Sequence, residues 1–194
     1  MKSRYIGLDE VEKIKKVSGD ELFLPFWISL ETGMRVGDVL KLRYGDLKDD
    51  GIHYTAEKTK KKGVAKITKN LRTELEYRGK GKQKRAYIFP SPKKAGAHLT
   101  RQSAWQRIKK AGEAAGVDLE GLSPHTFRKI YAVELYRVKG FNAVKQALQH
   151  NHNATTEIYA FADWGTGKNA NEPLRRRDLQ LIIKMVLEAL DHKK

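Results

Sequence analysis

The sequence contains no cysteine, which removes disulfides, thiolate nucleophiles and cysteine-ligated zinc together. It has no apolar run long enough to cross a bilayer, and residues 1–16 alternate in charge where a secretion signal would need a greasy centre. A cytoplasmic protein without a membrane partner is expected. There is no internal repeat, no low-complexity tract and no aromatic motif of the ribonucleoprotein type, which argues against a basic RNA-binding domain. What is abundant is positive charge. Against 23 Asp and Glu stand 39 Lys and Arg, a net +16 spread along 194 residues. Such a field attracts polyanions. Lys58 to Lys62 sets four lysines in five residues beside strand-like segments, an organised patch that favours nucleic acid over a merely solvated surface. The length and the 40% hydrophobic content suit one main domain.

Leu8, Val11, Ile14 and Val17 recur at helical spacing behind Asp9 and Glu10, predicting a first amphipathic helix that Gly19 ends. The richer stretch LFLPFWISLETGMRVGDVLKLR reads as two helices joined at Thr32 and Gly33, the second carrying Arg35, Val36, Val39, Leu40 and Leu42. KDDG at 48–51 signals a turn. GIHYTAE and GVAKIT flank the lysine run like the arms of a β-hairpin with a basic loop, and AYIFPS is expected to close a small three-stranded antiparallel sheet. Helical periodicity returns at residue 100, where Thr100 caps TRQSAWQRIKKAGEAAG and Gly116 stops it. LSPHTFRKIYAVELYRVKG, NAVKQALQ and NATTEIYAFAD follow, then WGTGKNANE as a linker. The tail is a helix with Leu179, Ile182, Ile183, Val186, Leu187 and Leu190 in an apolar stripe. The expected class is α+β, mainly α-helical: residues 1–163 form the main domain, 164–172 the linker, and 173–194 a C-terminal amphipathic helix that docks in cis or in trans.

SPHTFRK at 123–129 carries the first chemical signal. Ser123 is a good N-cap, Pro124 lacks an N–H that would be orphaned at a first helical position anyway, and Gly140 is expected to end the helix. His125 and Arg128, three apart, then share one face near an N-terminus whose free N–H groups favour an anion such as phosphate. His-x-x-Arg is a weak motif by itself, with about 0.4 chance occurrences expected from this composition. His98 and Arg101 repeat the spacing, but they straddle the cap Thr100 and present no common face.

The motif has company, and with it the sequence resembles a known family. TGMRVGDVLKLRYGDL looks like the first arginine box of the tyrosine recombinases, the integrase and invertase enzymes, and HTFRK looks like their His-x-x-Arg box. LQHNHNATTEIYAF resembles their final box, with the nucleophilic tyrosine nine residues after a histidine, as Tyr159 follows His150. EKTKKKGVAKI resembles the hairpin that carries their catalytic lysine. Gln149 and Asn151 depart from the family's usual glycine and serine. The four boxes fall in the family's order over residues 8 to 163.

The resemblance implies a tyrosine recombinase catalytic fold with its small three-stranded antiparallel sheet. It implies Arg35 and Arg128 as phosphate-clamping arginines, Lys58 as general acid, His125 as base or proton relay, His150 as a further phosphate donor and Tyr159 as nucleophile. Asp38 resembles the acidic residue that supports the first arginine, and Lys60, Lys61 and Lys62 remain alternatives to Lys58. DNA contacts are expected from Arg43, Lys60, Lys61, Lys62, Arg101 and Gln102. The implied activity is cleavage and rejoining of double-stranded DNA through a 3′-phosphotyrosine, without ATP, metal or other cofactor. A type IB topoisomerase or a catalytically silent DNA-binding regulator of the same fold are the alternatives. Partners implied are duplex DNA and a homotetramer on it, with a monomer or weak oligomer when free, in the cytoplasm with the nucleoid. Family members usually carry a further N-terminal helical domain completing a clamp around the duplex. This chain starts at the catalytic domain's own first helix, so it is expected to be a naturally short or excised domain that binds DNA weakly and salt-sensitively.

Overall fold

The computed structural model describes residues 6–120 and 122–148. The first helix, α1 (Leu8–Thr32), leaves helical geometry at Gly19 (φ 70°, ψ 164°), so it is two helices meeting at a kink where the sequence predicts an end. Lys15 spans that kink, 3.7 Å from Asp20 and 4.4 Å above the Trp27 ring. A single turn, α2 (Val36–Val39), follows the TGMR segment. A 3-10 turn at Tyr44–Asp46 then leads into β1 (Leu47–Lys48), β2 (Gly51–Thr55) and β3 (Lys62–Ala65). The sheet is antiparallel in the order β1-β2-β3, with Ile52 opposite both Leu47 and Ala65. Three helices complete the described chain: α3 (Lys69–Gly79), α4 (Arg101–Ala114) and α5 (Thr126–Ala147).

α1 packs against α2, α4 and α5, so its apolar residues set the centre of the core. Phe23 and Phe26 of α1 meet Phe127 of α5 at ring-centroid distances of 5.7 and 4.9 Å. All three rings are buried, in tilted and edge-on arrangements that aromatic quadrupoles favour. Ile14 and Ile108 are fully buried where α1 faces α4. Thr100 Oγ1 accepts from Ser103 N at 3.1 Å, which makes it the α4 cap that the sequence predicts.

Four local expectations are corrected. AYIFPS is not the third strand; that place belongs to Leu47–Lys48. Residues 86–89 instead lie between two other segments, with Tyr44 N donating to Ala86 O (3.1 Å), Ile88 N to Leu42 O (2.9 Å) and Leu99 N to Phe89 O (2.7 Å). Ile88 and Phe89 are both buried, so the stretch does not alternate as a half-exposed strand would, and Pro90 has no N–H to extend a ladder. The sequence pattern assigns no element to Lys69–Gly79, yet α3 forms there. Its buried apolar residues are only Leu71 and Leu75, one turn apart, and it is started by Thr68, whose Oγ1 accepts from Leu71 N at 3.3 Å. Gly140 does not end α5, which runs unbroken to Ala147; burial of Val144 and Leu148 beyond it offsets the ~1 kcal/mol a mid-helix glycine costs. Finally, α5 begins at Thr126 with His125 as its N-cap. Ser123 Oγ still accepts from an N–H two residues on, that of His125 at 3.2 Å, but it shapes a preceding turn in which Thr126 N donates to Ser123 O (2.9 Å).

The segment 80–85, KGKQKR, is pinned to the 3-10 turn. Gly45 N donates to Lys84 O at 2.8 Å, and a Cβ on Gly45 would stand 2.9 Å from that oxygen. Arg43 donates to Arg85 O, and its guanidinium lies 4.0 Å over the Tyr87 ring.

Candidate active site

The TGM turn fixes where Arg35 starts. Gly33 is in the left-handed region (φ 67°) and its N–H closes α1 on Ser29 O at 2.9 Å. Thr32 Oγ1 donates to Ile28 O (2.6 Å) and accepts from Met34 N (3.2 Å), while Ser29 Oγ donates to Met34 O (2.7 Å). With the Gly33 and Met34 N–H groups and both hydroxyls engaged, Arg35 leaves the turn as the half-buried N-cap of α2.

Asp38, three residues on, is buried, and its Oδ1 accepts from Glu57 N at 3.0 Å. That bond ties α2 to the second residue of the hairpin loop, which begins at Ala56. Lys58 is the next residue, exposed on the turn. The loop closes through Ala56 N to Lys61 O (2.9 Å) and Lys60 N to Ala56 O (2.8 Å), with Lys60 at φ 57°. An exposed Lys41–Glu57 pair at 2.6 Å lies alongside and contributes little, as exposed pairs do.

Arg128 arrives from α5. It is half-buried in the first turn of α5, with Nη1 donating to Gly33 O and Nη2 to Leu148 O at 3.2 Å. A planar guanidinium can serve two such acceptors at once, where an ammonium is a point donor. The second arginine box is thereby joined to the first across 95 residues of sequence. His125, three before Arg128, is exposed at the start of α5.

A residue that the motifs do not single out marks the meeting point. Tyr54 of β2 is half-buried. Burial raises its phenol above the ordinary value, Arg128 and Arg35 draw it down, and Asp38 adds to the rise. Three of the expected site residues are thus within electrostatic reach of one phenol. The strand alternation that buries Ile52 also turns Tyr54 inward, the signal that could have found it. Tyr131, one turn past Arg128, is pushed up to about 12, mainly by burial, then by Tyr54, against the pull of Arg128. It is a core tyrosine. His150 and Tyr159 lie outside the described residues, as do the linker and the C-terminal helix.

Among the expected DNA contacts, Lys60, Lys61, Lys62, Arg101 and Gln102 are exposed. Lys62 and Arg43 border a groove with Lys41, Asp38 and Tyr54. Arg43 also holds the 80–85 segment through Arg85 O. His98 and Arg101 do not form a pair: His98 Nδ1 lies 2.8 Å from Leu99 O and its ring packs edge-on to Tyr87.

The helical core, the three-stranded sheet and the converging arginine turns define the fold of a tyrosine recombinase catalytic domain. A crystal structure of lambda integrase (residues 75–356), a dimer bound to a COC′ core site, matches 83% of this chain and 59% of its own at 19% identity and a TM-score of 0.66. XerH recombinase in a post-cleavage complex with palindromic difH matches 88% and 53%, at 21% identity and 0.67. The chain belongs to the phage integrase family, whose model matches residues 8–164. Tyrosine recombinase XerD of Vibrio cholerae is 39% identical over 80 residues, which is 41% of this chain and 26% of that protein, and XerD of Proteus mirabilis is 40% identical over 73 residues, 37% and 23%. The match spans about a quarter of the length of these curated relatives. Among the described residues no helix is long and apolar enough to cross a membrane.

Proposed function

We propose that this chain is the catalytic domain of a site-specific DNA recombinase that breaks and rejoins strands through a covalent phosphotyrosine. The observation that carries this reading is the pair of long-range hydrogen bonds, Arg128 to Gly33 O and Glu57 N to Asp38, that gather both arginine boxes and the lysine hairpin around one spot. The Tyr159 oxygen attacks the phosphorus in line and gives its proton to His125. As the new P–O bond forms, the bond to the 5′ oxygen breaks, and Lys58 delivers a proton to that oxygen. Arg35, Arg128 and His150 hold the equatorial oxygens, whose charge grows in the transition state, so the scheme needs no metal or cofactor. A free 5′ hydroxyl from another strand reverses the step and restores the phosphodiester without ATP. Duplex DNA is the substrate and four copies of the chain assemble on it, in line with a similar solved structure that is a lambda integrase tetramer on a Holliday junction.

The test is covalent capture on a library of nicked random duplexes, in which the short strand diffuses away after cleavage. An adduct that resists denaturation and vanishes in Tyr159→Phe supports the reading, and sequencing the trapped strands identifies the site. DNA retained without any adduct would make the chain a binding module and refute the enzyme reading.

A further inference from the structure

A buried carboxylate stands next to the arginine turn and has no part in the phosphoryl transfer itself. Glu31, at the end of α1 and four residues before Arg35, is only 3% exposed. Its Oε1 accepts from Trp27 Nε1 at 2.6 Å and from Thr68 Oγ1 at 3.0 Å, and its Oε2 accepts from Thr68 N at 3.0 Å. A carboxylate in such a place is unfavourable unless its bonds are made, and an apolar side chain of similar volume would pack there without that demand. The bonds it makes are therefore the clue to its role.

Two of these bonds go to Thr68, which follows β3 and caps α3. Thr68 is thus the exit of the lysine hairpin. The entrance is held in the same way, by Asp38 accepting from Glu57 N. Both legs of the hairpin are fastened by carboxylates from residues 31–38, the stretch that also carries Arg35, and Lys58 rides on the exposed turn between the two anchors.

We propose that Glu31 is a positioning residue for the hairpin lysine: together with Asp38 it clamps the hairpin to the arginine-bearing segment and so sets the reach of the Lys58 ammonium to the leaving oxygen. This rests on the reading of Lys58 as general acid. Glu31→Gln keeps the volume but turns an N–H donor toward one of the donors it now accepts from, loosening the exit leg. Trp27→Phe removes the indole N–H bond, which does not touch the hairpin, and keeps a ring beneath Lys15.

The test compares two versions of the nicked duplex most enriched by covalent capture, one ordinary and one with sulfur in place of the bridging 5′ oxygen. A thiol ionises near pH ~8.5, so a departing thiolate needs no proton donor. On the ordinary duplex, Glu31→Gln should slow single-turnover adduct formation by ~10-fold or more, below the ~10²–10⁴-fold of a lost acid, and Trp27→Phe should stay near wild type. On the sulfur duplex both Glu31→Gln and Lys58→Ala should return to within about twofold of wild type. If Glu31→Gln gives no folded protein by circular dichroism, Thr68→Val carries the same comparison, with Thr68→Ser restoring the rate. A wild-type rate for Glu31→Gln on the ordinary duplex, or an equal defect on both duplexes beside a rescued Lys58→Ala, overturns the proposal alone. A Lys58→Ala protein that stays slow on sulfur overturns the general-acid assignment beneath it.

Discussion

Gly33→Ala should be among the most damaging single-methyl additions in this domain, for two separable reasons. The first is backbone: at φ 67° a residue with a Cβ is strained by ~1–2 kcal/mol. The second is space. A Cβ there would lie 2.5 and 2.6 Å from Cδ1 and Cε1 of Tyr131 and 2.9 Å from Cδ2 of Leu148. Both neighbours are buried, so the ring cannot step aside, and overpacking of this kind costs ~1–3 kcal/mol. The sum is ~2–5 kcal/mol, a large share of the ~5–15 kcal/mol that holds a domain together. With a slope of ~2 kcal/mol per molar urea, the midpoint should fall by ~1–2.5 M. Gly116→Ala supplies the control, because Gly116, in the left-handed turn that ends α4, has the same φ, 67°, and nothing within 4 Å of the added atom. Only the backbone strain applies, and the midpoint should fall by less than ~1 M. Urea titrations followed by circular dichroism measure both. Midpoints for the two variants within ~0.2 M of each other would refute the close approach of Tyr131 to the arginine turn.

The Tyr131 phenol, pushed up to about 12 against ~10 when unfolded, gives stability that is complete below pH 10 and is lost as pH rises from 10 through 12, ~2–3 kcal/mol in all. Thermal melts from pH 9 to 12 should show that fall, and Tyr131→Phe should flatten it. Arg128→Lys keeps the charge but cannot serve Gly33 O and Leu148 O together, so adduct formation should drop ~10²–10³-fold with DNA retained; a variant within threefold of wild type would mean the fork geometry is irrelevant. Replacing Lys60, Lys61 and Lys62 together by alanine should weaken duplex binding and flatten the plot of log affinity against log salt by ~0.9 for each phosphate the lysines no longer neutralise, and an unchanged slope would remove the hairpin from the DNA surface.

Features encoded within a few residues were legible in the sequence. Thr100, Gly116 and Gly19 punctuate the chain because caps and left-handed glycines act on their immediate neighbours. The arginines at 35 and 128 were legible for another reason, since TGMR and HTFRK are dense enough in special residues to stand out. What failed depended on partners far away in sequence. α3 was hidden because two leucines in eleven residues make no convincing period, and only packing on the core gives them direction. AYIFPS has strand composition, yet its partners are Leu42–Tyr44 and Leu99, which no local rule could select. Gly140 carried a stop signal that burial of Val144 and Leu148 overrides. Strand alternation points Tyr54 inward, but a tyrosine in a strand and a glutamate at a helix end, Glu31, acquire meaning as site residues only when Arg128 and Thr68 come alongside.

The stack of Arg43 on Tyr87 and the bond from Gly45 to Lys84 give the basic segment at 80–85 a fixed mount. Cations on such a mount keep constant intervals, like marks on a ruler, while those at the hairpin tip sit on a loop whose length could drift. Homologues that lengthen or shorten the hairpin should therefore retain the 43–87 partnership, and a change at either position should be accompanied by one at the other.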